Sequence, residues 1–152
     1  MSFVPIDLDN PLPIRVQQIK FSFISSHWHN SLELLYITDG ACRQLSNGQE
    51  QVFQKGDLIV NNAMVAHELK ADRECQLIAV QFPYLSLQKE YSRFCPDIEH
   101  LSFSITRQDR TKASYQKLCN LIINLHNDNE HWQDNLFSMC AASYEILQIL
   151  TR

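Results

Sequence analysis

From Val16 to Phe82 the chain is a succession of short apolar runs broken by turn residues: Ile19–Ile24, Leu32–Thr38, Cys42–Leu45, Gln51–Phe53, Leu58–Val60 and Leu77–Phe82. The three glycines of the chain all fall at seams between runs, Gly40 after Asp39, Gly48 after Asn47 and Gly56 before Asp57. Asp-Gly and Asn-Gly reach positive φ at little cost, as tight hairpins require. Closely spaced short strands with such turns predict an all-β sandwich or barrel. Past Pro83 the pattern changes. Residues 84–108 are mixed, with a short helix expected around Leu85–Phe94 and a loop at Cys95-Pro96. Then Tyr115, Leu118, Ile122 and Leu125 recur at three- and four-residue steps, and beyond Asn127-Asp128-Asn129 so do Trp132, Leu136, Cys140, Tyr144 and Leu147. These spacings predict two amphipathic helices, the second N-capped by Asn129, folded as an αα-hairpin beside the barrel. The fold class expected is mainly β with C-terminal helices.

The organisation that follows has three parts: an extended arm over residues 1–14, marked by Pro5, Pro11 and Pro13; a barrel and connector over 15–108; and a two-helix segment over 109–152. A chain of 152 residues is long enough for one such domain with its own core. The formal net charge of −4 argues against nucleic-acid contact by this chain itself, because such binders carry a basic face. The last segment carries one more acidic than basic residue, which makes it a poor recognition module. Five cysteines, at 42, 75, 95, 119 and 140, form no CxxC pair and sit mostly in apolar stretches, as buried free thiols in a reducing cytoplasm do. Nothing resembles a signal peptide or a membrane span, so a soluble cytoplasmic protein without membrane partners is expected.

The stretch that carries chemistry is His27-Trp28-His29-Asn30-Ser31-Leu32-Glu33. Side chains on a strand alternate faces, so His27, His29 and Glu33 share one side, with Leu35 and Ile37 continuing it as an apolar floor. Trp28, of opposite parity, is expected on the outer face under the helices. His67 lies one or two strands later, where a folded-back sheet brings a third imidazole to the same cavity. Three imidazoles and one carboxylate suit a divalent transition metal such as Zn, Ni, Fe or Mn. The same groups also suit a metal-free pocket that hydrogen-bonds a small molecule, or a set satisfied by its own neighbours. A buried Glu33 needs a partner in every case. Asp57, after Gly56, is read as a turn residue.

The spacing of His27, His29, Glu33 and Gly40 resembles the first cupin motif, although Phe21 stands where that motif has a glycine. Gly56 and His67 match the second motif, whose proline, second glycine and asparagine are replaced by Asn62, Met64 and Ala71. The wording HWHNSLELLYITDG followed by GDLIVNNAMVAHEL is similar to the N-terminal domains of AraC-type regulators, in which the intervening Trp28 and the Glu33-Leu34 pair are frequent. The resemblance is strong over about residues 14–85 and rests on the order of elements over 109–152.

That resemblance implies a cupin-type double-stranded β-helix, or jelly-roll, barrel with an αα-hairpin. It implies a sensing and dimerisation domain that receives a small effector such as a sugar at His27, His29, Glu33 and His67. DNA would be contacted only through a C-terminal domain absent from this chain. A homodimer is expected with Leu118, Ile122, Trp132, Leu136, Cys140, Tyr144 and Leu147 at or near its axis. No enzymatic turnover is expected; the alternative is a small metal-dependent cupin enzyme, of dioxygenase or sugar-isomerase type.

Overall fold

The computed structural model describes residues 1–152. Seven strands are formed: β1 (Ser2–Phe3), β2 (Arg15–Trp28), β3 (Ser31–Asp39), β4 (Ala41–Ser46), β5 (Gln49–Gln54), β6 (Leu58–Asn61) and β7 (His67–Pro83). Each apolar run of the sequence lies within one of β2 to β7. The strands outrun their apolar stretches, because a ladder continues through polar residues wherever a neighbour offers hydrogen bonds.

β7 organises the barrel. Its C-terminal half pairs with β3, from Asp39 opposite Gln76 to Ser31 opposite Pro83, and its N-terminal end pairs with β4, from Arg43 opposite Lys70 to Ser46 opposite His67. β2 follows its other edge, from Arg15 opposite Gln81 to His27 opposite His67, with a register shift between Phe21 and Phe23. Extra residues at such a shift bend a strand, so β2 and β7 pass from one sheet to the other. One sheet is then β2-β7-β3-β6, and the other adds β4 and β5 to the opposite ends of β2 and β7. At Gly40, φ is +83° and an added Cβ would stand 3.1 Å from the Glu74 carbonyl oxygen, so the β3–β4 turn admits only glycine without strain.

Alternation divides the first sheet into two faces. Inward point Leu35, Ile37, Ile59, Leu77 and Ala79, which with Phe21, Cys42, Leu69 and Cys75 fill one half of the barrel. Outward point Val16, Leu34, Ile78 and Val80, which join the larger core beneath the helices. The sheet is therefore the middle of three layers.

After β7 comes a short helical segment, α1 (Tyr84–Ser86), continuing as a wider turn through Tyr91. Helices α2 (Ala113–Asn129) and α3 (Leu136–Leu150) follow. α2 buries Tyr115, Leu118, Cys119, Ile122 and Leu125, the expected stripe. α3 is turned from its expected face: it buries Met139, Ser143, Ile146 and Leu147, while Tyr144 is partly exposed and Leu136 and Cys140 are half-buried. Its sequence is apolar on nearly every side, so more than one stripe satisfies the period; the hydrogen bond from Tyr91 Oη to Ser143 Oγ, 2.7 Å, accompanies the face that docks. Trp132 lies outside α3, in a separate turn (Trp132–Asp134). Asn129 ends α2 rather than capping α3; its amide donates to the Val16 carbonyl, and Asn135 holds the N-cap position.

The arm also differs from expectation. β1 pairs in parallel with His27 and Trp28, and Leu12 and Ile14 are buried in the core. Trp28 accordingly packs against Phe3, ring centroids 4.6 Å apart, rather than under the helices.

Candidate functional site

The chain does not run through the histidine motif as one strand. His27 is near the end of β2, His29 sits in the turn that follows, and Glu33 is on β3. The shared parity expected of a continuous strand is replaced by a corner, yet the corner still gathers the side chains, because His67 at the start of β7 is the register partner of His27. The ring centroids of His27 and His67 are 4.4 Å apart and those of His29 and His67 5.2 Å. One ring nitrogen from each of His27, His29 and His67 lies within 4.8 Å of the others, so the three can share a metal ion.

Glu33 is buried among donors. Its Oε2 accepts from Asn61 Nδ2 at 3.1 Å and faces His67 Nε2 at 3.2 Å; its Oε1 accepts from Gln81 Nε2 at 2.9 Å and faces His29 Nε2 at 3.4 Å. Asn61 and Gln81 are its register neighbours on β6 and β7, and Asn61 also donates to Gln44 Oε1 at 3.0 Å. Burial alone would push the Glu33 carboxyl up, but hydrogen bonds and charge from His29 and His67 outweigh it and hold the group well below its ordinary range. For His67, burial opposes the charged form, and the bond to Glu33 overcomes this and raises its pKa. His27, half-buried, is lowered mainly by desolvation.

The tautomers are set by the second nitrogens. His27 Nδ1 is 2.9 Å from the Ser25 carbonyl and His67 Nδ1 3.0 Å from the Val65 carbonyl. A carbonyl only accepts, so each Nδ1 carries a proton and points Nε2 toward the cluster. His67 Nε2 then meets a carboxylate, and two acceptors cannot face each other stably: either His67 is an imidazolium or a cation lies between them. The separations of 3.2 and 3.4 Å from Glu33 to the two imidazoles suit a direct ion pair, and the three imidazole nitrogens are the group that could hold an ion. Gln81 Oε1, buried beside Glu33, has no hydrogen-bond partner in the chain, whereas His29 Nε2 has the Glu33 carboxylate as its neighbour.

The sequence profile of the AraC-like ligand binding domain matches residues 11–144. The chain belongs to this family. Its barrel is of the cupin type, and an AraC-like domain of this kind is a ligand-sensing unit. Solved structures similar to it include a cupin-2 domain containing protein from Shewanella frigidimarina, 18% identical over 49% of this chain and 72% of that one with a TM-score of 0.43. A cupin superfamily protein from Desulfitobacterium hafniense is 12% identical over 51% and 74%, TM-score 0.47. A protein described as a predicted oxalate decarboxylase from Thermotoga maritima is 19% identical over 47% and 68%, TM-score 0.44. No curated protein matches the chain.

Of the residues expected in the AraC-like domain's site, the structure brings together His27, His29, Glu33 and His67. Asp57 is a turn residue, as read, and also an ion-pair partner: Arg110 lies 2.7 Å from it. Leu118, Ile122 and Leu147, expected near a dimer axis, are buried within their own chain. Sequence reasoning missed Gln44, Asn61 and Gln81. Each is the polar residue two places past an inward-facing apolar one, Cys42, Ile59 and Ala79, and that break in an alternating series was the available signal. No helix is long and apolar enough to cross a membrane.

Proposed function

We propose that this domain is the sensing half of a DNA-binding transcription regulator. A small effector is received around His27, His29, Glu33 and His67, and its occupancy is passed through the helices to a DNA-binding module elsewhere in the full protein. The observation that carries this reading is the gathering of three imidazoles around a buried carboxylate, with the Gln81 Oε1 acceptor beside them left without a donor. A buried acceptor costs about 1–3 kcal/mol while unpartnered, and a ligand hydroxyl, as on a sugar, would supply the donor.

A divalent cation is the other occupant that fits. His27, His29 and His67 would hold it with Glu33, and it would offer a positive point to an effector oxygen. The same three imidazoles favour a catalytic reading, a metal-dependent dioxygenase or isomerase. It stands second, because Asn61 and Gln81 each donate to a Glu33 oxygen, so the carboxylate is engaged rather than free to take a proton.

A homodimer belongs to the proposal. Its surface is the outer side of α3, where Phe137 is 93% exposed and Tyr144 37%, with Leu136 and Cys140 beside them. Titration of the metal-free chain with zinc or nickel, in two buffers of different ionisation enthalpy, tests the centre. Metal binding displaces the His67 proton, so about one proton is released per ion, and His27→Ala abolishes the effect. Steady oxygen consumption or sugar isomerisation by the metal-loaded chain overturns the sensing reading.

A further inference from the structure

The barrel is open along one side, where β5 and β6 form the free edges of its two sheets. Between them lies a cleft of about 560 Å³, within the range of small-molecule sites. Gln44 and Asn61 line it, and both belong to the hydrogen-bonded series that ends on Glu33. Asn61 spends Nδ2 on Glu33 and on Gln44, so its Oδ1 and the Gln44 Nε2 meet no partner within the chain. Facing this amide floor, Phe53, Ile59 and Ile105 supply apolar wall. No lysine or arginine lines the cleft, and its one carboxylate, Glu50, lies 3.8 Å from Arg43. An anion finds no countercharge there. A neutral molecule with hydroxyls or amides on one side and hydrocarbon on the other satisfies both walls.

The outer wall of the cleft is not part of the barrel. It is Phe103–Ile105, on the segment leading to α2. The Phe103 N–H donates to Asn62 Oδ1 at 2.8 Å, and Asn62 Nδ2 donates back to the Phe103 carbonyl at 2.9 Å. Further on, Arg107 donates to the Val52 carbonyl at 3.2 Å, Arg110 pairs with buried Asp57 at 2.7 Å, and Tyr115 Oη, in the first turn of α2, donates to the Gly56 carbonyl at 2.7 Å. Residues 103–115 thus form a strap fastened to β5, to the β5–β6 turn and to the end of β6.

We infer that this side cleft is a second binding site, for a neutral polar small molecule, and that the strap carries its occupancy to α2. The inference rests on the sensing role proposed above but uses none of the histidines. A ligand between Asn61 and Ile105 touches barrel and strap together, and a shift of the strap is a shift of the first turn of α2, because Arg110 and Tyr115 hold both to the barrel.

The test follows backbone and side-chain amide resonances of the isotope-labelled full chain on addition of D-glucose, myo-inositol or xylitol, with glucuronate as the anionic control. The expected result is movement of the Asn61 and Asn62 side-chain amides and of Phe103–Ile105, continuing to Ser114 and Tyr115, with glucuronate weaker by about tenfold. Ile105→Trp, which fills the cleft, weakens the neutral polyols by at least about tenfold while zinc still moves His27, His29 and His67. Arg110→Ala keeps the binding and ends the changes before α2. The inference is overturned if no polyol moves the cleft, if the movement centres on the histidines, or if Ile105→Trp leaves affinity unchanged. A zinc response lost from the unsubstituted chain, with cleft binding intact, overturns the histidine reading alone.

Discussion

In the metal-free protein His67 has an acceptor at each nitrogen, the Val65 carbonyl and Glu33, so the buried pair is charged on both sides. The lowered pKa of Glu33 gives stability that is complete above its ordinary 4.5 and is lost as pH falls through the folded value. The raised pKa of His67 gives stability that is complete below its ordinary 6.5 and is lost as pH rises through the folded value. Metal-free protein should therefore show a plateau of urea midpoint between pH 4.5 and 6.5, falling on both sides. Glu33→Gln should remove the acid limb and cost about 3–5 kcal/mol, the scale of breaking a buried pair; an unchanged midpoint would show that the pair is not charged. Cysteine chemistry is set by the same desolvation. Cys42, against Cys75 in the barrel, is pushed up to about 12, and Cys75 and Cys119 are also raised by burial. A thiol-specific reagent at pH 8 should leave these three intact until denaturant is added, whereas Cys95, less buried, should react in the native state. The motif histidines and Glu33 were legible in the sequence by spacing; the amides that hold Glu33 were not, because a lone Asn or Gln on a strand has no signature until strand pairing sets it opposite a carboxylate.

At the scale of elements, the strands were readable because their apolar runs are short and end at Asp-Gly or Asn-Gly, and α2 because its polar face is unambiguous. α3 was readable as a helix but not in rotation. A helix with Leu136, Phe137, Met139, Cys140, Tyr144, Ile146 and Leu147 offers several apolar faces, and only tertiary docking selects Met139, Ser143 and Ile146. The corner at His29 was hidden for a related reason: His-Asn-Ser carries no glycine or proline to mark a turn. The two helices give a paired prediction. Ile122→Ala, fully buried on α2, should cost about 2–5 kcal/mol of folding free energy. Phe137→Asp should change stability by no more than about 0.5 kcal/mol and convert the proposed dimer to a monomer in sedimentation. If that variant stays dimeric, α3 is not the interface; if it unfolds, the α3 face has been assigned wrongly.

For the whole molecule, three layers share one sheet: helices on its outer face, barrel apolar residues and the polar cluster on its inner face. The arrangement places Glu33 and Leu34, neighbours in sequence, on opposite sides, one among the histidines and the other under α2 and α3. A change felt by β3 at the polar end is therefore one residue away from the helix-bearing layer, without any long relay. The passage of β7 through both sheets has a further consequence, for the order in which the protein can be made. β2, β3 and β4 each find in β7 a partner that is translated after them. While the chain is being synthesised from its N-terminus, the β1–β2, β3–β6 and β4–β5 pairings are open to it, but the apolar strand Leu32–Ile37 waits with its β7 edge unpaired. Closure at that point costs the entropy of joining segments some tens of residues apart, which makes such topologies slow and exposes them to aggregation on the way. Nascent chains stalled with only residues 1–66 outside the ribosome should be cut by protease throughout, and protection of β2, β3 and β4 should arise together once residue 83 has emerged.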